Sequence, residues 1–333
     1  MKIAVLQMTA GIDPAGNATT LVAAIEAAAE SGAAMLFTPE MSNLLDRDGD
    51  RAAKLLTMED NDPVVLAVRE AAARCAQWVN LGSVAVREGS DGRLVNRSLV
   101  IDAGGAIVAR YDKMHLFDVD LASGESWRES ARYVAGTVPV VVDTPLGRLG
   151  LSVCYDLRFP VLYQALSAAG ARVVAIPSAF TVPTGQAHWH VLQRARAIEN
   201  ACFVVAAAQT GRHADGRSTY GRSLVVDPWG QVLLDMGEEP GLAYVDIDES
   251  TVEAVRARVP VLAHRRPVPA AIVAQCSSTT CVAQAGTISK AGSPTAMRSP
   301  RRVAPDSCCV RSAARRASIG KCRRCGSAVA PRL

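Results

Sequence analysis

"PVVVDTPLGRLGLSVCYDLRFP", residues 139–160, carries two strand contexts in one stretch. Its first part reads as a β-hairpin turning at Pro145-Leu146-Gly147. Its second part is an apolar run that stops on Cys154, turns through a charged corner to Pro160 and enters a helix over 161–170. Hairpins place strands antiparallel, whereas strand–helix units bring them back parallel, so a sheet holding both is mixed. The same stretch poses a chemical question. A cysteine inside an apolar run is ordinarily a small buried hydrophobe. One at the run's end, before a turn and a helix, is placed like a nucleophile.

Outward from this stretch the alternation continues. Upstream, "KIAVLQM" is a strand and "NATTLVAAIEAAAESG" a helix closed by Gly32. "AAMLFTPE" is a buried strand ending at Glu40, and Pro63 opens a second helix. The strand "WVNLGSVAV" follows, then a hairpin through Gly104-Gly105 into "AIVARYDKMHLF". Downstream come the strand "RVVAIPSAF", a helix over 187–200 and the strand "CFVVAAAQT". A hairpin at Asp227-Pro228-Trp229-Gly230, the strand "AYVDID" and a short helix near 250–258 complete the series. Two mixed sheets packed face to face with helices outside would bury this many apolar strands.

The orderly pattern covers residues 1–267, read as one domain. Residues 268–333 lack periodicity, are rich in Ser, Ala, Arg, Pro and Cys, and are expected to be disordered. The stop is abrupt enough that an extension read out of frame is one account of it. The net charge of +4 is an artefact of this tail, which holds 11 Lys and Arg against one acid. The first 267 residues balance at −6, which argues against a nucleic-acid partner. No apolar run reaches the roughly 18 residues of a membrane span, and the N-terminus reads as a first strand rather than a signal peptide. The expectation is a cytoplasmic enzyme with no membrane partner.

A free thiol is only a few per cent ionised at neutral pH, so Cys154 needs a base. None of the five histidines stands in a papain-like context. Glu40, at a strand's carboxyl end, and Lys113, after the strand "AIVARYD", occupy places comparable to that of Cys154. Carboxyl ends of α/β strands converge on one crevice. A desolvated carboxylate is a better base there, and an ammonium can hold a developing oxyanion. Taken singly, each has a plainer reading: Glu40 and Lys113 as solvated charges, Cys154 as core.

Four segments in order, "FTPEMSN", "YDKMHLFDVD", "RESARYVAG" and "GLSVCYDLRFP", resemble the nitrilase superfamily of carbon–nitrogen hydrolases. "PSAFTVPTGQAHWHVLQRARAIENACFVVAAAQTGRH", "YGRSLVVDPWG" and "HRRP" resemble its Nit branch, most of all the deaminated-glutathione amidases. The resemblance implies a four-layer α-β-β-α sandwich. It implies Cys154 as nucleophile, Glu40 as general base, Lys113 as stabiliser of the tetrahedral intermediate and Glu129 as a second glutamate orienting Lys113 and substrate. The Tyr155 N–H would complete the oxyanion site. The implied reaction hydrolyses a small carboxylate-bearing ω-amide to acid and ammonia through a thioester, with no metal or organic cofactor, in a homodimer or larger assembly. Alternatives are an ω-amidase acting on α-ketoglutaramate-type acids, an acyltransferase, and an inactive binding protein on the same fold. Intact Glu40, Lys113, Glu129 and Cys154 argue against the last.

The remaining residues keep two readings each. Arg158 either pairs a substrate carboxylate or pins the corner through Asp156 or backbone carbonyls. Phe180 and Thr181 either line a pocket or pack ordinarily. His188 and His190, two apart, do not share a helix face and make no metal pair. Cys75 and Cys202 read as buried thiols. In the tail, "CRRC" with Cys308-Cys309 is a weak zinc pattern beside the plainer reading of solvated disorder.

Overall fold

The computed structural model describes residues 1–88, 93–121, 124 and 126–271. Their compact unit runs Met1–Val268. Most of the tail, including both zinc-pattern segments, lies outside the described residues.

The chain begins with β1 (Lys2–Gln7), α1 (Pro14–Glu30) and β2 (Met35–Phe37). α2 (Gly49–Leu55) and α3 (Pro63–Cys75) lead to a meander of β3 (Trp78–Glu88), β4 (Arg93–Ile101) and β5 (Ile107–Asp112). A small ribbon of β6 (Asp118–Asp120) and β7 (Ser126–Arg128) precedes β8 (Val141–Thr144) and β9 (Gly147–Leu151). A 3-10 turn over Cys154–Arg158 opens into α4 (Pro160–Ala168), then β10 (Val173–Ala175), α5 (Val182–Asn200) and β11 (Phe203–Ala206). A second ribbon, β12 (Thr210–Arg212) and β13 (Ser218–Tyr220), is followed by β14 (Leu224–Val226), β15 (Val232–Asp235), β16 (Gly241–Asp246) and α6 (Ser250–Arg258).

Two six-stranded mixed sheets result, ordered β16-β1-β2-β3-β4-β5 and β15-β14-β11-β10-β9-β8. Each has three parallel strands at its centre and antiparallel strands outside. The period of two on β1 shows the layering. Ala4 and Leu6 meet Leu21 and Ile25 of α1 and Val64 and Val68 of α3 in one apolar cluster. Ile3 and Val5 point the other way, into a cluster with Leu149, Val173 and Val204 of the second sheet and Leu162 and Trp189 of α4 and α5. The order helix, sheet, sheet, helix is the expected four-layer sandwich.

Asp13 and Asp62 cap α1 and α3, each accepting two backbone N–H groups ahead of a proline. Three helices differ from expectation in their bounds; α1 starts at Pro14 rather than 17, because Asp13 caps it directly ahead of that proline. α4 spans 160–168 rather than 161–170. α5 starts at Val182 rather than 187, because Pro183 sits in the first turn, where its missing N–H costs nothing. Gly185 then lies against Tyr220, where a Cβ would stand 2.1 Å from the ring. Cys202 is buried as expected, but Cys75 is only half-buried, because it closes the last turn of α3.

Candidate active site

Glu40, Lys113 and Cys154 each follow a strand: Glu40 after β2, Lys113 after β5 and Cys154 after β9. The fold brings them together beneath a cavity of about 430 Å³. Their residues are 4%, 2% and 8% exposed. Lys113 Nζ donates to Glu40 Oε1 at 2.9 Å and to Glu129 Oε2 at 2.9 Å. Glu40 Oε2 accepts the Ala179 N–H at 2.8 Å, and the Cys154 thiol lies beside the same carboxylate. Glu129 is fixed by the Phe117 N–H at 2.7 Å.

Asn96, on β4, completes the cluster. Its Nδ2 donates to Glu40 Oε1 at 2.9 Å and to Glu129 Oε1 at 3.1 Å, and its carbonyl accepts the Lys113 N–H. Sequence reading missed it, although a polar residue mid-strand, completely buried, must find partners somewhere.

The electrostatics follow from burial and contact. Desolvation pushes the Cys154 thiol well above its ordinary 9.0, and the Glu40 charge adds to this. Burial works to raise Glu40, but Lys113 and the hydrogen bonds outweigh it and hold the carboxyl below 4.5. Lys113 loses solvent yet gains two carboxylates, which keep it charged well above 10.5. Cys154 therefore rests as a neutral thiol beside an ionised Glu40, with Lys113 charged. Thiol and carboxylate are adjacent, an arrangement in which a carboxylate can take a thiol's proton.

Backbone geometry holds the set in place. Cys154 has φ of 49°, the left-handed region that a side chain adopts at a cost, and its N–H bonds to the Pro177 carbonyl. Asp156, fully buried, accepts from the Tyr111 hydroxyl at 2.7 Å and from the N–H groups of His115 and Val153. It thus ties the Lys113 segment to the Cys154 turn. The Glu40 loop is gripped by an irregularity in β3, where Gly82 N–H reaches Thr38 Oγ1 and Ser83 N–H the Pro39 carbonyl.

Gly82 has no room for a side chain: a Cβ would lie 1.9 Å from the Thr38 carbonyl oxygen and 2.5 Å from that of Pro39. Gly82→Ala is expected to cost about 1–3 kcal/mol in chemical denaturation. By moving Glu40 it is also expected to lower kcat/KM by about tenfold to a hundredfold. A variant of full stability and activity would show that the loop yields.

Tyr155, Arg158, Phe180 and Thr181 all line the cavity. Arg158 pins the corner through neither Asp156 nor a backbone carbonyl. It faces His188 Nδ1 at 3.2 Å and lies over the Tyr155 and Phe180 rings, because Asp156 is already filled by donors from the Lys113 segment. Trp127, Arg217 and Thr219 also line the cavity; Trp127 and Thr219 sit on three-residue strands with no period to read, and Arg217 in the turn just before the second. No group of three or more potential metal ligands occurs among the described residues.

The carbon–nitrogen hydrolase family profile matches residues 2–257. The chain is 40% identical over 268 residues to the deaminated glutathione amidase of Yersinia enterocolitica, covering 80% of this chain and 93% of that protein. It is similar in structure to the Caenorhabditis elegans NitFhit protein, with a TM-score of 0.74 and 41% identity over 80% of this chain and 65% of that one. A mutant of the amidase from Nesterenkonia sp., captured with acrylamide added to its active-site cysteine, gives a TM-score of 0.65 at 30% identity. That match covers 78% of this chain and 98% of the amidase.

Proposed function

The chain belongs to the carbon–nitrogen hydrolase family, and from that premise we propose that it hydrolyses a small carboxylate-bearing ω-amide of the deaminated-glutathione kind through a Cys154 thioester. The observation that carries this reading is the meeting of the Cys154 thiol, the Glu40 carboxylate and the Lys113 ammonium under one cavity.

Glu40 takes the thiol proton as Sγ attacks the amide carbon. The oxyanion forms between the Lys113 ammonium and the Tyr155 N–H. Glu40, now an acid, returns the proton to the departing nitrogen: ammonia from a primary amide, a free amine from a substituted one. Water then attacks the thioester with Glu40 again as base, and the acid leaves. Glu129 and Asn96 hold Lys113 in place throughout, and Arg158 is the anchor for the substrate carboxylate on the acyl side, with Phe180 and Thr181 as flanking walls. All these groups lie in residues 1–267, to which we assign the whole reaction. A reducing compartment such as the cytoplasm suits a thiol that must stay free.

We also assign a homo-oligomer. Val191 and Ile198, two turns apart on α5, are exposed, as is Trp229 in the turn whose Gly230 abuts Ile198. An apolar face of this kind is what an isologous interface covers.

Mass spectrometry on protein quenched during turnover of a panel of ω-amides tests the reaction. The expected result is an acyl adduct on Cys154 matching the acid half of the substrate, with one amine released per adduct in the first turnover. Absence of both adduct and amine for every amide would refute the reading.

A further inference from the structure

Behind the Glu40 carboxylate, a buried glutamine holds the main chain of the same residue. Gln209 is completely buried, between β11 and β12. Its Nε2 donates to the Glu40 carbonyl at 2.9 Å, and its Oε1 accepts the Ala10 N–H at 2.9 Å. Its own backbone is tied on both sides: its N–H reaches the Ser178 carbonyl at 2.8 Å, and its carbonyl accepts the Gly221 N–H at 3.1 Å. Ala10 and Glu40 follow β1 and β2 of the first sheet, whereas Ser178 and Gln209 follow β10 and β11 of the second. One side chain thus pins the Glu40 backbone across the sheet interface.

The Glu40 carboxylate must meet groups from both sheets. Lys113 and Asn96 reach Oε1 from the first sheet. The Ala179 N–H reaches Oε2 from the second, where Cys154 also stands. Ala179 directly follows Ser178, so the strand end that anchors Gln209 also grips the carboxylate. Glu40 is therefore held at its carbonyl and at its carboxylate from one place. The next residue, Met41, has φ of 56° and bonds through its N–H to Ser83 Oγ. A side chain in that region persists only where its surroundings over-determine the backbone. Gln7 makes a useful contrast. It is equally buried and joins the same two sheets, with Oε1 accepting the Ser223 N–H and hydroxyl and Nε2 donating to the Gly237 and Glu239 carbonyls. None of those bonds touches the Glu40 loop.

We propose that Gln209 is a positioning residue for Glu40: its grip on the Glu40 carbonyl sets the carboxylate in register with Lys113 and the Cys154 sulfur. This rests on the reading of Glu40 as the base. The charged and titratable groups that face the carboxylate are Lys113 after β5, Cys154 after β9 and, across Asn96, Glu129. Lys113 offsets the burial of Glu40. A carboxylate drawn off Lys113 is left with burial, which disfavours its charge.

Denaturation, haloacetamide alkylation of Cys154 and amide turnover on Gln209→Met, Gln209→Glu and Gln7→Met test this. Methionine nearly conserves the volume and removes both side-chain bonds of Gln209. Glutamate keeps an acceptor for the Ala10 N–H but loses the donor to the Glu40 carbonyl. Both Gln209 variants are expected to lower kcat by about tenfold to a hundredfold while KM changes by less than about threefold. Both should also raise the acid limb of the alkylation rate by about one pH unit or more. Gln7→Met, or Ser223→Ala where that fails to fold, should lose stability and leave the limb in place. A limb unmoved in both Gln209 variants, or moved equally by cutting the Gln7 bonds, would overturn the proposal. It would also fall if neither Gln209 variant folds while the Gln7 variant does, since the residue would then hold the fold and not the carboxylate. A wild-type alkylation rate with no acid limb would remove the base and the proposal with it. Should no amide be turned over, the amidase reading fails, and alkylation alone decides the tether, because it needs only the thiol and its neighbouring carboxylate.

Discussion

Cys154→Ala is expected to lower kcat/KM by about 10⁵-fold or more, close to 7 kcal/mol of transition-state stabilisation. The thioester route disappears with the sulfur, leaving only a bound substrate facing Glu40 and Lys113. Substrate binding should survive, because the cavity wall is untouched, so calorimetry is expected to return a dissociation constant near the wild-type KM. Fold stability should change little, since Glu40 beside the thiol keeps its bonds to Lys113, Asn96 and the Ala179 N–H. Cys154→Ser is the sharper companion. It keeps a hydroxyl at the same φ of 49°, but a hydroxyl holds its proton far more tightly than a thiol. A loss nearly as large as for alanine shows that sulfur acidity is required and geometry alone is insufficient.

The same electrostatics set how the wild-type thiol reacts. Its proton passes to Glu40 only as attack proceeds, so alkylation by a haloacetamide should depend on the ionisation of Glu40 rather than on that of the thiol. Glu40 is held below 4.5 and the thiol above 9.0. The alkylation rate should therefore be flat from about pH 5 to 9 and fall only on further acidification. A steady rise across that range would mean free thiolate is the attacking species.

The sequence made the three clustered groups legible because each follows closely on a strand. An apolar run that stops on Glu40, Lys113 or Cys154 leaves a chemistry-bearing side chain at a sheet's carboxyl edge, and the strand alternation supplied both mixed sheets. Asn96 escaped because it opens a polar run, Asn96-Arg97-Ser98, inside β4, and nothing in that run shows which side chain faces inward until the strand's register is known. Gly82 escaped for a different reason: its constraint is the approach of a loop more than 40 residues away in the chain, which no local pattern encodes. Trp127 and Arg217 sit in ribbons too short for periodicity, and α2 is a seven-residue helix with a weak apolar face. What sequence pattern carries is strand and helix period; what it omits is contact between distant short segments.

Lys113→Met should reach beyond the oxyanion. Removing a preorganised charge from an oxyanion site costs about 10²–10³ in kcat. Here it also strips the cation from between Glu40 and Glu129, which both bond Asn96 Nδ2. Two buried carboxylates so close repel each other once the cation is gone, so the pair takes up a proton more readily. Part of the base is then lost, and the combined fall in kcat/KM should approach about 10⁴. Stability should drop by about 3–5 kcal/mol, the cost of leaving a buried charge without its partner. The pH dependence of that deficit separates this account from simple loss of packing. Glu40 is depressed in the wild-type fold, so its contribution is present above its unfolded value and lost as pH falls through the lower folded one. Lys113 is raised, so its contribution is complete below its unfolded value and lost only at still higher pH. The gap between wild type and variant should therefore be widest from about pH 5 to 10 and shrink toward acid, where the variant's carboxyls are neutral. Denaturation of both proteins at pH 4 and pH 8 checks this. A deficit equal at the two values would place the effect in lost packing, and Glu129→Gln in the Lys113→Met background should recover part of the stability only if like-charge repulsion is its source.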